Sequence, residues 1–425
     1  MPSQSLQKLA LFGGEPAISR PLTPRKHFSV AERNAALRVV DQAIAAGSSP
    51  IYGGDEEAAF CREFAQHMGG GYADAVNSGT SAVYVALRAL ELEPFTEVIV
   101  GPITDPGGMM PIALCNCIPV VADTEPGSFN ISPASVESLI TSYTSALLIP
   151  HIAGEPADME AIMTIARQHG LKVIEDCAQA HGAFWEGQRL GSFGDISAFS
   201  TMHGKHICTG GQGGVVFTKD KELYWKIRSY SDRGKPFGLP EGSTNPVASL
   251  NCNLEEISCA IGREQLKKVD TIANGRRRIA AQIQKAIEKA GIRCIRFPSF
   301  DCRALPSFWF MRVRLDNSML TCDKGQFCAA LAAEGLPVNP QYNAFPSLMD
   351  WCQNKRVFGT SQYPWAAPEY KGDHDRRYQK TDYPHAIQAV EDHFILYAVE
   401  SWTEEDIAAV VKAFQKVWNA FQRHS

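Results

Sequence analysis

Leu171-Lys-Val-Ile-Glu-Asp-Cys-Ala-Gln-Ala-His-Gly182 is the stretch on which the fold turns. Its first half is a short apolar strand, and Asp176 stands where that strand gives way to a polar turn. Runs of the same kind recur along the chain: Glu97-Val-Ile-Val100, Pro119-Val-Val-Ala122, Ala146-Leu-Leu-Ile-Pro150, Ile196-Ser-Ala-Phe-Ser200 and Gly214-Val-Val-Phe217. Helical stretches lie between several of them, such as 157–169, closed by Gly170. Short apolar strands separated by helices predict an α/β fold with a mainly parallel sheet covered by helices on both faces. Ligands of such sheets bind outside the carboxyl ends of the strands. Asp176, Ser200 and the loop after Ser200 are therefore the first candidates for a site.

That loop reads Ser200-Thr-Met-His-Gly-Lys-His-Ile-Cys-Thr-Gly-Gly-Gln-Gly-Gly214. A lysine able to bond a carbonyl covalently, here Lys205, and a carboxylate aimed from a strand end, here Asp176, are what pyridoxal 5′-phosphate requires: a tether and a partner for its pyridinium nitrogen. Its phosphate needs a cradle. Asn77-Ser78-Gly79-Thr80-Ser81 precedes the helical pattern 82–90, so unpaired backbone N–H groups and a positive dipole end meet at one place. Each piece has a plainer reading alone. Ser, Gly and Thr open many helices as caps, a lysine between glycines is usually a solvated loop residue, and a strand-end Asp often caps a turn. The ordered triple of cradle, acid and lysine is what favours the cofactor.

Together with Gly154-Glu-Pro-Ala-Asp-Met159 and Gly194-Asp-Ile-Ser-Ala-Phe-Ser200, these segments resemble the DegT/DnrJ/EryC1/StrS family of sugar and cyclitol aminotransferases. The resemblance covers 30–290 and continues faintly to the C-terminus. It implies the fold-type I, aspartate aminotransferase-like architecture of a large sheet domain and a smaller C-terminal α/β domain. It also implies a homodimer with shared active sites, and transfer of an amino group from glutamate or glutamine to a keto-sugar or keto-cyclitol in antibiotic or surface-glycan biosynthesis. By the same resemblance Lys205 and Asp176 are catalytic, with Lys205 bearing the cofactor and moving a proton. Gly79, Thr80 and Ser200 hold the phosphate, Gln179 contacts the ring's 3′-oxygen, and Asn251 reaches the phosphate of the neighbouring subunit. His181 is expected to pack beside the site, while His203 and His206 flank the lysine and read most simply as surface residues.

Two departures bear on the substrate. Where the family places Arg, Leu250-Asn-Cys-Asn-Leu254 carries Asn253, and where it places a ring-stacking aromatic, Gly101-Pro-Ile-Thr-Asp-Pro-Gly-Gly108 offers Thr104 and Asp105. Asp105 is then expected to meet the substrate, or Pro106 to cover the ring. The opening Leu9-Ala-Leu-Phe-Gly-Gly-Glu-Pro-Ala17 is closer to the cyclitol and aminohydroxybenzoate branch. A deoxysugar dehydratase or a non-catalytic cofactor-binding regulator would be the alternatives. The first replaces the lysine with His or adds an iron–sulfur cluster, and the second brings a DNA-binding module or loses a catalytic residue.

A chain of 425 residues suits about two domains. An arm over 1–28, a large domain over 29–270 and a small domain over 271–425 are expected. With 41 basic against 46 acidic residues the net charge is −5, which offers no nucleic-acid footprint. No run approaches the roughly 20 apolar residues of a membrane span and no signal-peptide core is visible, so a cytoplasmic protein without membrane contact is expected. The 12 cysteines are scattered without paired Cys-x-x-Cys elements, which predicts reduced, mostly buried thiols and no metal. Ser29-Val-Ala-Glu32 forms a capping box for a helix reaching Ala46, and a second amphipathic helix is expected over 56–68. One long helical connector is expected over 254–291. A strand over 309–315, a helix over 324–334, a loop over 342–382 and a last helix capped at Thr403 follow.

Overall fold

The apolar runs pair into one seven-stranded sheet in the computed structural model, which describes residues 4–342 and 344–423. The first three residues of the expected arm and position 343 of the expected loop lie outside the described residues. The strand order is Tyr72–Val76, Gly214–Thr218, Ile196–Ser200, Lys172–Asp176, Thr144–Pro150, Glu97–Val100, Ile118–Val121. From Ile196–Ser200 to Ile118–Val121 the neighbours are parallel, and Gly214–Thr218 runs antiparallel to both of its neighbours. Side chains alternate between two cores. Val98, Val100, Ile174, Ala198 and Val216 pack on one face, and Ile99, Leu147, Ile149, Val173, Val215 and Phe217 on the other. Burial on both faces is why these strands read as continuous apolar runs.

Tyr72–Val76 escapes the sequence reading because Tyr-Ala-Asp-Ala-Val has little strand propensity. Its buried Asp74 earns its place by pairing with Arg228 at 3.0 Å. The Ser29 capping box is present, and the two N-terminal helices span Val30–Ala45 and Asp55–His67. The expected long connector is instead two helices, Glu256–Leu266 and Val269–Lys289. The break falls where Gln265 and Lys268 both turn their side chains onto the buried Glu32 carboxylate.

Four short strands, Ile295–Arg296, Met311–Leu315, His393–Leu396 and Val338–Asn339, form a second, antiparallel sheet. Helices Lys324–Ala333 and Glu404–Phe421 cover it through Phe327, Leu331, Val410 and Phe414. The Thr403 capping box is formed with Asp406. The strand expected from Trp309 begins only at Met311. Phe308 takes a positive φ of 50°, and Arg276 Nη1 draws the carbonyls of both Phe308 and Trp309 at 2.8 Å, which removes them from the ladder. The segment expected as a loop over 342–382 carries short helical turns at Pro346–Leu348, Asp350–Gln353 and Lys380–Asp382 and supplies core side chains: Trp365 and Tyr370 are fully buried, and Tyr370 donates to Glu97 Oε1 at 2.7 Å. All 12 cysteines are free thiols, most of them buried. Among the described residues no helix is long and apolar enough to cross a membrane.

Candidate active site

Strand ends and one returning loop enclose a cleft of about 220 Å³ lined by Ser78, Gly79, Thr80, Asp105, Asp176, Ser200 and Lys205, among others. Asp176 ends its strand and is turned inward by the backbone. Its carbonyl accepts from the N–H of His151 at 3.1 Å, and its Oδ1 accepts from the N–H of Ala178 at 3.0 Å. The lysine loop doubles back on itself. The Lys205 N–H donates to the Met202 carbonyl at 2.9 Å and the Thr209 N–H to the Thr201 carbonyl at 3.0 Å. Lys205 is thereby brought over the strand ends, with 6% of its surface exposed.

Two helices begin at the cleft. Ser78 caps Gly79–Ala89, its hydroxyl accepting from the Ser81 N–H at 3.0 Å. Asp105 caps Pro106–Leu114, its Oδ1 accepting from the Gly107 N–H at 2.9 Å. Close approach, rather than flexibility, explains the glycines. A Cβ at Gly79 would lie 2.6 Å from the Ser200 Cβ, and one at Gly108 would lie 2.9 Å from Asp176 Oδ2. The cleft thus has anion-accepting helix N-termini on one side, a carboxylate on a strand end, and an amine above, with its floor kept clear by missing side chains. That set fits pyridoxal 5′-phosphate.

Burial lowers the Lys205 amine from 10.5 to about 8, while the Asp176 and Asp105 carboxylates work against the fall. Burial likewise raises the Asp176 carboxyl, opposed by the Ala178 N–H, Lys205 and His151. Each of the two therefore needs an opposite charge to stay ionised, and a protonated ring nitrogen would give Asp176 that partner. Behind Asp176, the Glu175 carboxylate accepts from the N–H groups of Gly191, Phe193 and Gly194 at 2.7, 2.7 and 2.8 Å and meets His151 Nε2 at 3.3 Å. His151, Glu175 and Cys177 bring their ligand atoms within 4.8 Å of one another. His151 Nδ1 already accepts from the Ala157 N–H at 3.2 Å, so both its ring nitrogens are engaged in bracing the strand.

Gln179 and Asn251 are not among the residues lining the cleft. Gln179 is buried, its Oε1 accepting from the Ala153 N–H at 2.8 Å and its Nε2 donating to the Tyr342 hydroxyl at 2.9 Å. Asn251 is exposed and accepts from Asn253 Nδ2 at 2.6 Å. The two asparagines of the family-divergent motif are thus bound to each other. His181 lies beneath the site as expected, at 2.8 Å from the Ser200 carbonyl and lowered by burial to about 4. His203 is exposed, but His206 is wholly buried, with Nε2 at 3.1 Å from the Ser307 carbonyl and its pKa pushed far down by burial. The surface reading of His206 fails because the loop folds inward after Lys205.

Several neighbours of the lysine come from parts of the chain that its own motif does not mark. The Trp309 ring centroid lies 3.7 Å from Lys205 Nζ, and Trp309 Nε1 donates to the Gly204 carbonyl at 2.8 Å. From the N-terminal arm, Arg25 Nη1 donates to the Lys205 carbonyl at 2.6 Å and His27 Nε2 meets the same oxygen at 3.0 Å. Glu400 joins Arg25 at 2.7 Å to Arg276 at 2.9 Å. Nothing local in the sequence marks Trp309 or Arg25. Asp105-Pro-Gly-Gly, by contrast, is legible as a helix start with Pro in the first turn. A larger cleft, about 550 Å³, opens elsewhere between the 125–128 and 296–301 loops, around the buried Arg312–Glu155 pair, but holds no lysine.

The profile of the family described as the DegT/DnrJ/EryC1/StrS aminotransferase family matches residues 31–415, well past the limit at which the sequence motifs thin out. A GDP-perosamine synthase of Caulobacter vibrioides is 34% identical over 284 residues, 67% of this chain and 75% of that protein. An L-glutamine:2-deoxy-scyllo-inosose aminotransferase of Streptomyces fradiae is 31% identical over 352 residues, 80% of this chain and 82% of that protein. A solved aminotransferase structure from Psychrobacter cryohalolentis superposes with a TM-score of 0.79 at 28% identity, covering 92% of this chain and 98% of that one.

Proposed function

The chain belongs to the DegT/DnrJ/EryC1/StrS aminotransferase family and takes pyridoxal 5′-phosphate as its cofactor, and from that premise we propose that it moves the amino group of glutamate or glutamine onto the carbonyl of a keto-sugar or keto-cyclitol in antibiotic or surface-glycan biosynthesis. The observation that carries the reading is the convergence of Lys205, Asp176, Ser200 and the Gly79 helix start on one cleft. Gly79, Thr80 and Ser200 hold the phosphate, and Asp176 keeps a proton on the ring nitrogen. When bound, the cofactor supplies an electron sink for the substrate's amino-bearing carbon. Lys205 would hold the cofactor covalently and, when freed, its Nζ would move the proton of the substrate Cα, a task suited to an amine whose pKa is about 8. Gln179, fixed between Ala153 and Tyr342, still has one N–H to offer the ring's 3′-oxygen. Asp105, which caps its helix beside Lys205, faces the substrate rather than stacking on the ring.

We assign the site to a homodimer in which Asn251 reaches the partner's cofactor phosphate. Val30, Leu37 and Ile44 are exposed at a seven-residue spacing on one helix face, and Ile51 and Leu250 are exposed nearby, an apolar surface that a second copy would cover. The free thiols suit a reducing, cytoplasmic setting. The dehydratase and regulator alternatives lose their ground with Lys205 retained in a cleft that fits the cofactor.

Borohydride reduction of the loaded protein followed by peptide mapping is expected to find the pyridoxyl group on Lys205; label on another lysine overturns the assignment. A panel of donors and acceptors read at the cofactor's absorbance then reports each half-reaction, and inertness to every keto-sugar and keto-cyclitol would sink the substrate class. Mixing Lys205→Ala subunits with Asn251→Asp subunits is expected to regenerate activity that neither has alone. A fully active monomer in sedimentation refutes the shared site.

A further inference from the structure

We propose that the indole face of Trp309 is the seat of the Lys205 ammonium: a positioning residue that holds the amine over the cleft whenever it is not bonded to cofactor. The proposal rests on Lys205 being the cofactor-bearing amine. Nζ lies 3.7 Å from the Trp309 ring centroid, well inside the range of about 6 Å for a cation over an aromatic face, and tryptophan is the strongest such ring. Asp176 and Asp105 act on the amine only as charges at a distance, and among the described residues neither forms an ion pair with it. The π face is therefore the direct contact that joins those two charges in offsetting burial of the ammonium.

Three hydrogen bonds hold Trp309, one at the ring and two at its backbone. Trp309 Nε1 donates to the carbonyl of Gly204, the residue before the lysine, at 2.8 Å, and the Trp309 N–H donates to the Ala153 carbonyl at 2.8 Å. The Trp309 carbonyl accepts from Arg276 Nη1 at 2.8 Å. Arg276 shares Glu400 with Arg25, and Arg25 donates to the carbonyl of Lys205 itself at 2.6 Å. One network thus holds both ends of the same residue, the carbonyl through Arg25 and the amine through Trp309. A flexible four-carbon side chain released from a covalent bond would otherwise scatter over its rotamers. With the ring in place the freed amine has one resting position from which to return.

The test uses the full chain saturated with pyridoxamine 5′-phosphate, in which the lysine amine is not bonded. Acetylation of Lys205 as a function of pH, read by peptide mass spectrometry, gives the midpoint of its amine. Trp309→Leu is expected to lower that midpoint by about one pH unit, because the ring favours the charged form. Trp309→Phe, which keeps a π face, should restore most of the shift. Trp309→Gln gives a second measure without a π face, should the Leu variant fail to fold. A midpoint that stays or rises in both the Leu and Gln variants, or a Phe variant that falls as far as they do, overturns the proposal. Borohydride mapping on wild type separates the premises: label away from Lys205 defeats the assignment of the lysine, whereas label on Lys205 with an unmoved midpoint defeats only the role of Trp309.

Discussion

The floor of the Lys205 cleft is made by strand ends and helix starts of one sheet, whereas the side chains that back its upper side, from outside the lining, come from far off in the chain, Trp309 meeting Gly204 across 105 positions and Tyr342 meeting Gln179 across 163. The floor works through backbone and charge: Asp176 at a strand end, Gly79 where no Cβ fits, Ser200 beside it. The upper side works through large side chains, Trp309 on the lysine and its loop and Tyr342 on Gln179. A change in the floor should therefore remove binding or chemistry, and a change above should tune it.

Lys205→Ala is the largest expected loss. Turnover should fall on the order of 10⁴-fold, the upper end for a proton-transfer group, with no pyridoxyl peptide after reduction. Asp176→Asn keeps the size and removes the charge. Steady-state rates should drop on the order of 10²- to 10³-fold, comparable to losing one electrostatic partner of a reacting group, and near-normal rates would move the electron-sink role elsewhere. Gly108→Ala tests the floor as a surface. Its Cβ would stand 2.9 Å from Asp176 Oδ2 and 2.6 Å from Thr104 Oγ1, so cofactor affinity in a fluorescence titration should weaken. Overpacking of that kind costs about 1–3 kcal/mol, roughly 5- to 150-fold. Unchanged affinity would show that the floor yields, and the contrast with the upper side would then collapse.

The smallest effect belongs to His27, above the loop. Burial, reinforced by the Arg25 charge, lowers its imidazole from 6.5 to about 4. Since the unfolded chain takes up that proton more readily, the stability at stake is whole above pH 6.5 and is lost as pH falls from there toward 4. His27→Gln should flatten the acid limb of a pH series of denaturant melts by less than about 1 kcal/mol, a discount made for its partial exposure. An unchanged acid limb would free His27 of that role and leave the arm's electrostatics to Arg25.

How much could be read in advance follows the same division. Asp176, Ser200, Lys205 and the Gly79 cradle were visible because each is announced by its own neighbours: a strand that ends, a helix that begins, a run of glycines. The Ser29 and Thr403 capping boxes were visible for that reason too, and both form. Trp309 reads as the first residue of a strand because its run alternates correctly. What frees it from the sheet is Arg276, on a helix begun 40 positions earlier at Val269, whose guanidinium takes the two carbonyls that would have paired. The 342–382 segment shows no period, and its aromatic residues are core only because a sheet edge lies beneath them, with Glu97 accepting from Tyr370. His206 is buried by the return of its own loop, a tertiary event without a local mark.

The tie from Arg25 to both the Lys205 carbonyl and Glu400 sets an order of events for a chain being made. The sheet strands and the lysine loop are synthesised long before residue 400, yet the loop's last fastening spans 180 positions in one direction and, through Arg25, 375 in the other. Contacts of such long separation form late. A nascent chain can therefore possess its complete sheet while its lysine still lacks a fixed seat, and in refolding the far-ultraviolet signal should recover before the protein gains its cofactor colour.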